Sequence, residues 1–410
     1  MTTLPIPADF DFAPPPDAAT LRRWLDADRA ARPGRLARLR ERMAAEGVDA
    51  WFGVRPEHMR WLTGFTLGPG EKPSAGHSGE FLVGADGVTV VVDSRYTIQA
   101  RREAPEALVD EIGYDLPGAW ARLLASHGAK RVGMEADAIP HGLWTKLVEA
   151  APDVELVPAD GWVEAMRAVK TRDEVERIAA ACAVADRALA ALLPEIRPGV
   201  TEHDLALRLE MLMRTGGAEC LAFDVACLAG PEAALPHGSP GDRPVLDGAV
   251  LLFDFGAQVA GYRSDMTRTL FVGEPNARDL GVYETVARSQ QAAIDALTAA
   301  VRDGVAMPDG KSVDAIAREL IDRDGRWPAY GHGLGHGIGL ATHEEPRLSR
   351  SAPETRLPSP TVFSVEPGIY LEGETGVRIE DLVHLDAAAG VCDLLTLFPR
   401  DVIVVGGAAS

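Results

Sequence analysis

Short apolar runs and segments with helical periodicity alternate along the first part of the chain. An amphipathic helix is predicted from about Arg35 to Met43, and the runs AWFGV, RVGMEA and VELVPA predict buried strands between further helices. The segment FLVGADGVTVVVDSRY predicts two strands joined by an Asp-Gly turn. This alternation is typical of an α/β domain, which we place at residues 31–165. Residues 1–30 are rich in proline and alanine and predict an extended arm.

A second pattern of apolar positions begins near residue 170. Thr171 and Glu174 have the spacing of a capping box, and apolar residues then recur every three or four positions, which predicts a long helix. Thr201 caps a second predicted helix, and a hairpin containing two aspartates follows. From about Asp279 the same order of two helices and an acidic hairpin recurs. This order predicts an internally duplicated domain at residues 166–410.

The charge of the chain excludes several classes of partner. Its 410 residues include 41 basic and 61 acidic side chains, a net charge of -20, which argues against nucleic acid and anionic membrane surfaces as partners. The N-terminus lacks the pattern of a signal peptide, and no apolar run approaches the ~20 residues of a membrane span. The four cysteines form no CxxC pair, so we interpret them as small core residues rather than disulfides or ligands. These features predict a cytoplasmic protein.

Five residues with metal-binding side chains lie in three short segments of the second domain. They are Asp254 and Asp265 in LLFDFGAQVAGYRSDMTRTLFV, His336 in GHGLGHGIG, and Glu366 and Glu380 in SVEPGIYLEGETGVRIEDLV. Asp254 and Glu366 have apolar neighbours, and burial of an unpaired carboxylate is strongly unfavourable. Two like charges ~5 Å apart repel by roughly 3 kcal/mol even at a high effective dielectric. The set therefore predicts bound metal rather than solvated strand residues.

The register of the first hairpin decides whether its two aspartates meet. A turn centred between Val259 and Ala260 places Asp254 directly opposite Asp265, with Cβ atoms ~4.5 to 5.5 Å apart. Val-Ala is poor chemistry for a two-residue turn, so we expect a four-residue loop ending at Gly261 with the same centre. In either case the two carboxylates are predicted to share a cation.

The second hairpin predicts a similar pair. A turn centred on Gly373 places Glu366 opposite Glu380, and Arg378 shares the face of Glu380 because strand side chains alternate. Four carboxylates and one imidazole suit Mn²⁺, Co²⁺, Fe²⁺ or Zn²⁺, and the carboxylates suffice to bridge two ions ~3.5 to 4 Å apart. Such a pair makes hydroxide available near neutral pH and polarises a carbonyl, which predicts hydrolysis of an amide or a related bond.

Three other histidines have no role that spacing alone assigns. His332 precedes His336 by four residues, but the glycines between and around them make a helix improbable, so we expect a loop close to the site. The segment does not complete a GxGxxG motif, which argues against nucleotide binding. His237 in ALPHGSP and His343 in LATHEEP lie in turn-like segments, where exposed histidines are common. Taken alone, each is as consistent with an exposed surface residue as with a functional one.

The combined pattern FDFGAQVAGYRSDMTRT, GHGLGHGIGLATHE and SVEPGIYLEGETGVRIED resembles the metal-dependent peptidases of the M24 group, most closely the Xaa-Pro peptidases, which are prolidases and aminopeptidases P. The match runs from about Lys170 to Leu397, and the preceding α/β domain resembles the creatinase-like N-terminal domain of the prolidase branch. The resemblance implies a homodimer. It also implies an α/β N-terminal domain followed by an α+β pita-bread (creatinase/aminopeptidase-like) catalytic domain with an internal pseudo-twofold repeat.

The resemblance also implies a mechanism. Two divalent ions, Mn²⁺ first and Zn²⁺, Co²⁺ or Fe²⁺ as alternatives, would be held by the five residues named above, and a hydroxide between them would attack the carbonyl before a proline. The implied roles are these: His237 stabilises the tetrahedral intermediate, His343 contacts the scissile region or the leaving proline, His332 lines the proline-side pocket, Arg378 supports the bridging glutamate, and Glu366 shuttles the proton. The expected substrate is a proline-containing dipeptide or short peptide.

Two other functions are compatible with this fold. One is a pita-bread hydrolase or lyase acting on a small non-peptide molecule, such as a creatine-like or sulfonium compound; creatinase-type members do without metals, whereas every ligand position is filled here. The other is a peptide-binding pseudoenzyme, against which the intact ligand set argues. Between the two peptidase types, a single compact N-terminal domain favours a dipeptidase over an aminopeptidase.

Overall fold

The computed structural model describes residues 12–68 and 78–406. This part of the chain divides into two compact units. Within the described ranges, the N-terminal unit spans Ala18–Met166, and the C-terminal unit comprises residues 167–406 together with residues 12–17. Among the helices of the described ranges, none has the length and hydropathy needed to cross a bilayer.

The N-terminal unit is built on a six-stranded mixed sheet. Its helices are α1 (Ala18–Ala45), α2 (Pro56–Thr63), α3 (Thr97–Glu103), α4 (Leu116–Ser126), α5 (His141–Ala150) and α6 (Trp162–Ala168), the last of which continues past the unit's boundary. Its strands are β1 (Ala50–Gly53), β2 (Glu80–Gly84), β3 (Val88–Val92), β4 (Leu108–Glu111), β5 (Arg131–Met134) and β6 (Glu155–Pro158), in the order β4-β3-β2-β1-β5-β6. Strand β1 runs parallel to β5 and antiparallel to β2. The ring of Phe52 in β1 meets that of Trp120 in α4 edge-on at 4.8 Å, in the core between sheet and helix.

The first helix is longer than its sequence pattern predicts. It begins at Ala18, so the extended arm predicted over residues 1–30 is wrong from that residue onward, and residues 1–11 lie outside the described ranges. The alanine- and arginine-rich segment has high helix propensity but a weak apolar stripe, which hides the helix from periodicity arguments. Tertiary contacts hold it in place: Arg35 Nη1 donates to the Trp61 carbonyl at 3.0 Å, and its guanidinium lies 4.6 Å from the Trp61 ring.

The C-terminal unit repeats one arrangement of helices and strands. Its long helices are α7 (Arg172–Leu192), α8 (Glu202–Thr215), α9 (Ala277–Arg302) and α10 (Gly310–Asp324). The strands of its first half are β7 (Cys220–Leu221), β8 (Ala226–Ala229), β9 (Val250–Phe255), β10 (Ala257–Val259), β11 (Tyr262–Arg263) and β12 (Met266–Val272). Those of the second half are β13 (Gly335–Gly337), β14 (Glu344–Leu348), β15 (Thr361–Val365), β16 (Gly368–Leu371), β17 (Thr375–Arg378), β18 (Asp381–Asp386), β19 (Val391–Leu394) and β20 (Val404–Val405).

The sheets of this unit follow the predicted duplication. Strands pair in the orders β20-β12-β9-β8, β14-β13-β15-β18-β19, β11-β10-β7 and β16-β17. The N-cap residue of the second helix in each half makes a matching isolated bridge, Thr201 with Pro244 and Asp309 with Arg356. The predicted capping box of α7 is present, since the Thr171 and Glu174 side chains each accept a hydrogen bond from the other's backbone N–H.

The first acidic hairpin has a different register from the predicted one. Val259 pairs with Tyr262, so the turn consists of Ala260 and Gly261, with φ of 48° and 84°. A two-residue turn with positive φ at both positions matches the twist of the strands, and glycine at the second position adopts it without steric cost. The predicted centre between Val259 and Ala260 is therefore wrong by one residue.

The shifted turn changes how the two aspartates approach each other. Asp254 in β9 pairs with Thr267 in β12, not with Asp265. Asp265 lies two residues before Thr267, which places it diagonal to Asp254 on the same face of the ribbon. The two carboxylates still share one side of the hairpin, as predicted.

The second acidic hairpin has the predicted register. Leu371 pairs with Thr375 around Gly373, which has a φ of 72°. The same register continues into the main sheet, where Val365 pairs with Asp381. Glu366 directly follows Val365, and Glu380 directly precedes Asp381. The two glutamates therefore lie opposite each other, as predicted.

The glycine-rich histidine segment is part of a sheet as well as a loop. Gly335–Gly337 form strand β13 between β14 and β15, whereas the sequence predicts a loop throughout. A Cβ at Gly335 would lie 1.9 Å from the carbonyl oxygen of Ser364, and one at Gly337 would lie 2.1 Å from that of Glu345. The two glycines thus permit neighbouring backbones to approach His336 closely, which only the packed sheet reveals.

Candidate active site

Two buried carboxylates and one partly buried histidine, from separate elements, meet at one point of the C-terminal unit. Asp265 lies immediately before β12, His336 lies in β13, and Glu380 lies between β17 and β18. One ligand atom from each lies within 4.8 Å of the others, a spacing that suits a single metal ion. Asp265 and Glu380 are 4% and 2% exposed, so water compensates little of their charge.

The other two predicted metal-binding residues lie beside this group. His336 Nε2 is 3.4 Å from Glu366 Oε1 and 3.7 Å from Asp265 Oδ2. Asp254 is close enough to Asp265, Glu366 and Glu380 to affect the ionisation of these carboxylates. The fold therefore brings all five residues together.

Burial and mutual repulsion make the charged forms of these carboxylates unfavourable. Burial, followed by repulsion from Glu380, Asp254 and Glu366, raises the pKa of Asp265 well above its usual value. Burial and repulsion from neighbouring carboxylates have the same effect on the pKa of Glu380. The Oδ1 atom of Asp254 is buried and has no hydrogen-bond partner among the residues described. An orphaned carboxylate oxygen in an oxygen-rich, nitrogen-containing group fits divalent metal ions.

Arg378 connects the acidic residues of the two hairpins. Its Nη2 donates to Asp254 Oδ2 at 2.6 Å, and its Nε donates to Thr267 Oγ1 at 2.9 Å. Thr267 in turn donates to Glu380 Oε2 at 2.7 Å. The sequence predicts that Arg378 orients the neighbouring glutamate, but the direct contact is with Asp254, and Glu380 is reached through Thr267.

Tyr370 extends this network to the histidine loop. Arg378 Nη1 donates to Tyr370 Oη at 2.9 Å, and His332 Nε2 lies 2.9 Å from the same oxygen. Sequence reasoning missed both Tyr370 and Thr267. The period of two along a strand could have found Tyr370, because residues 366, 368 and 370 share one face.

A buried ion pair supports the backbone at Glu380. Arg268 Nη2 donates to Asp381 Oδ1 and Arg268 Nη1 to the Glu380 carbonyl, both at 2.6 Å. Gln290 Nε2 donates to the second oxygen of Asp381 at 2.9 Å. Both oxygens of Asp381 are therefore satisfied, which fixes the chain on the C-terminal side of Glu380.

Burial lowers the pKa values of both His336 and His343. Nδ1 of His336 donates to the Gly337 carbonyl at 3.0 Å, which leaves Nε2 as the free lone pair facing the carboxylates. The rings of His336 and His343 are 4.3 Å apart. Burial, with smaller contributions from His336 and His237, lowers the pKa of His343 to about 4. His237 is exposed on its loop and is close enough to His343 to contribute to this lowering of its pKa.

We expect metal loading to release protons. Because burial and mutual repulsion raise the pKa values of Asp265 and Glu380, protons compete with a metal ion for these carboxylates. Metal affinity should therefore increase as the pH rises. Titration calorimetry with Mn²⁺, in buffers that differ in ionisation enthalpy, measures the number of protons released.

The raised pKa values of Asp265 and Glu380 also determine how the free energy of unfolding changes with pH. A carboxyl whose folded-state pKa is raised stabilises the fold below its ordinary pKa, and this contribution is lost as the pH rises through the raised value. Thermal unfolding at several pH values should therefore show the metal-free protein losing stability with rising pH relative to the metal-loaded protein. Metal affinity that does not change with pH would contradict this electrostatic account.

Two family models match the chain. Residues 176–387, more than half of the chain, match the model for Metallopeptidase family M24, and residues 35–169 match that for the Creatinase/Prolidase N-terminal domain. The Uncharacterized peptidase YqhT of Bacillus subtilis (strain 168) is 33% identical over 371 residues, which cover 90% of this chain and 100% of that protein.

Solved structures agree with the sequence matches. The structure of an Xaa-Pro dipeptidase from Bacillus anthracis superposes with a TM-score of 0.81 at 31% identity, covering 91% of this chain and 99% of that one. An X-Pro aminopeptidase from Thermotoga maritima MSB8 gives a TM-score of 0.79 at 34% identity, covering 90% and 99%. The predicted fold, a creatinase-type α/β domain followed by a pita-bread catalytic domain, is confirmed. The chain belongs to metallopeptidase family M24, and this membership implies a hydrolase that uses divalent metal ions.

Proposed function

We propose that this protein hydrolyses the peptide bond that precedes a proline, in dipeptides or short peptides, with two divalent metal ions. The observation that carries the proposal is that Asp265, His336 and Glu380 meet at one point, with Asp254 and Glu366 beside them. The similarity to an Xaa-Pro dipeptidase over 91% of the chain supports the choice of substrate.

The metal ions would be held by Asp254, Asp265, His336, Glu366 and Glu380. Mn²⁺ is the first choice, and Zn²⁺, Co²⁺ or Fe²⁺ are the alternatives, because one imidazole among carboxylates suits each of these ions. When bound, the ions lower the pKa of water so that hydroxide is available near neutral pH, and they polarise the substrate carbonyl.

Two residues of the chain act on the reacting atoms. His237 donates a hydrogen bond to the oxyanion that forms when water adds to the carbonyl carbon. Glu366 accepts the proton of the attacking water and passes it to the imino nitrogen of the leaving proline. Arg378 keeps Asp254 in place through the 2.6 Å hydrogen bond between Nη2 and Oδ2.

The proline side of the substrate meets two histidines, His332 and His343. A bond that precedes proline is a tertiary amide with no N–H, so recognition depends on the shape of the ring and on the carbonyl and terminal groups. His332, whose Nε2 lies 2.9 Å from Tyr370 Oη, lines the pocket for the ring. His343 contacts the scissile region, and burial keeps its pKa near 4, so it remains uncharged in the working range.

We further propose that the protein is a cytoplasmic homodimer. The four cysteines are free thiols, two of them buried, and unpaired cysteines are typical of a reducing compartment. The resemblance to Xaa-Pro peptidases supports the dimer. Sedimentation of the purified protein tests this assembly directly.

Cleavage of Ala-Pro is expected to be faster than cleavage of Ala-Pro-Ala, because a dipeptidase captures the carboxylate of the proline itself. The measurement is the rate of alanine release from each peptide with Mn²⁺ supplied. Faster cleavage of the tripeptide would identify an aminopeptidase, the activity of the Thermotoga maritima relative. Ala-Ala serves as the matched control without proline.

The same assay distinguishes the other functions compatible with the fold. If neither proline peptide is cut while creatine or a sulfonium compound is consumed, the enzyme acts on a small non-peptide substrate. Bound peptide without cleavage, together with substoichiometric metal, would indicate a peptide-binding pseudoenzyme.

A further inference from the structure

The histidine assigned to the oxyanion lies on an exposed loop. This loop, which we call the His237 loop, leaves strand β8 at Ala229 and returns toward helix α8 at Gly241. The His237 side chain is exposed within it. A donor to a transition state must be held within a fraction of an ångström, so the anchors of this loop matter for catalysis.

One buried carboxylate joins the two ends of the His237 loop. Glu202, the first residue of α8, has an exposed fraction of 0%. Its Oε1 accepts the backbone N–H of Ala229 at 2.7 Å, and its Oε2 accepts that of Gly241 at 2.9 Å. The chain between these two amides contains His237, so Glu202 closes the base of the loop.

The charge of Glu202 is balanced at the same place. Arg243 Nη2 lies 3.1 Å from Glu202 Oε2, and the Glu202 backbone N–H donates to the Arg243 carbonyl at 3.1 Å. The N–H of His203 also donates to the Gly241 carbonyl, at 3.0 Å. The return of the loop is thus bound to the start of α8 by side chain and backbone together.

Helix α8 does not need this carboxylate for its own cap. Thr201 is the N-cap, and its hydroxyl accepts the N–H of Asp204 at 3.0 Å. A glutamate in the first turn normally remains solvated, where it interacts with the helix dipole. Glu202 is instead buried with both oxygens on loop amides, a costly arrangement unless the hydrogen bonds are needed.

The middle of the loop has a second anchor in the metal site. Arg378 Nη1 donates to the carbonyl of Pro236 at 3.4 Å, and Pro236 directly precedes His237. The loop is therefore anchored at its ends by Glu202 and next to His237 by the arginine that also binds Asp254.

We propose that Glu202 is a positioning residue for catalysis. By joining the two ends of the His237 loop, it fixes the position of the His237 side chain. The inference rests on the proposed function, because it assumes that His237 faces the substrate. Glu202 does not touch the reacting atoms; it acts through His237.

The substitution Glu202→Gln tests this role. A glutamine has the same shape but a single acceptor oxygen, and its NH₂ group faces one of the two amide donors, so one end of the loop loses its anchor. We expect kcat for Ala-Pro to fall by about 10- to 100-fold, with metal content unchanged and KM changed less. Glu210→Gln, in an exposed Glu210–Arg214 pair on the same helix, is the matched control and should keep kcat within about twofold.

A double-mutant cycle with His237→Ala separates positioning from general stability. If Glu202 acts through His237, Glu202→Gln should lower kcat no further once His237→Ala is present. An equal fall of kcat in both backgrounds would show a merely structural role and overturn the inference. Unchanged kcat for Glu202→Gln alone, beside an impaired His237→Ala variant, would overturn it too.

Two further results keep the test decisive. If Glu202→Gln does not unfold cooperatively, Arg243→Gln is used instead. This substitution removes the ion pair with Glu202 but keeps the hydrogen bonds from the backbone N–H groups of Ala229 and Gly241 to the carboxylate. We expect Arg243→Gln to lower kcat less than Glu202→Gln does, and to have no effect on kcat when His237→Ala is already present. If Arg243→Gln still lowers kcat in the His237→Ala background, the inference is overturned. If His237→Ala itself retains full activity, the role assigned to His237 is wrong, and the inference fails with it.

Discussion

Replacement of His336 by alanine is expected to abolish metal binding and activity together. His336 supplies the nitrogen of the group that it forms with Asp265 and Glu380. Without it the remaining ligands are carboxylates, and because burial and mutual repulsion raise the pKa values of Asp265 and Glu380, protons compete with the ion for them. We expect turnover of Ala-Pro to fall by about 10³-fold or more, because loss of the metal removes several kcal/mol of transition-state stabilisation.

Asp254→Asn should have the same outcome for a different reason. Asp254 uses one oxygen to accept from Arg378 Nη2, and its other oxygen has no partner among the described residues. An asparagine has one acceptor oxygen and must turn its NH₂ group either toward the guanidinium or toward the metal. Both orientations are unfavourable, so the variant should bind metal poorly.

Elemental analysis and turnover measured on the same preparation test both variants. His141→Ala and Asp295→Asn, which change exposed residues of the same types, are the matched controls and should keep full metal content. Retention of stoichiometric metal and full activity by His336→Ala and Asp254→Asn would refute the assignment of the metal site.

Replacement of His237 by alanine is expected to keep the metal and lose turnover. His237 lies on an exposed loop and is not among the residues that meet at the metal site, so metal content should equal that of the unmodified protein. Loss of one hydrogen-bond donor to an oxyanion typically lowers kcat by about 10²- to 10³-fold. The effect on KM should be smaller, because the hydrogen bond strengthens mainly in the transition state.

The measurement is kcat and KM for Ala-Pro with saturating Mn²⁺, beside metal content. His203→Ala changes an exposed histidine on helix α8 and is the matched control. A variant that loses metal in proportion to activity would instead make His237 a residue that supports the metal site. Unchanged kcat would remove it from the mechanism.

The four carboxylates predicted to bind metal lie in pairs within two hairpins. Asp254 and Asp265 lie in one hairpin, and Glu366 and Glu380 lie in another, so short-range strand geometry brings each pair together. The second hairpin could be predicted in detail because Gly373 marks its turn. The first could not, because the choice between neighbouring turn centres depends on φ at Ala260 and Gly261, which the alternation of side chains does not report.

The contacts around the site join residues far apart in the chain. Arg378 reaches Asp254, and Glu202 reaches Gly241, across packed sheets and loops. No periodicity in the sequence relates such partners, because their distance depends on how the sheets pack. The start of helix α1 at Ala18 was missed for a similar reason. The apolar stripe of this helix is weak, and tertiary contacts hold the helix in place.

The sequence by itself determined the duplicated order of helices and acidic hairpins and the residue types that can bind metal, because capping boxes, turn glycines and strand alternation act over a few residues. Tertiary structure alone decided that Asp254 opposes Thr267, that Arg378 contacts Asp254 directly, and that a buried Glu202 closes the loop of His237. The physical reason is burial: only when the chain is packed do carboxylates lose their water and take specific hydrogen-bond partners.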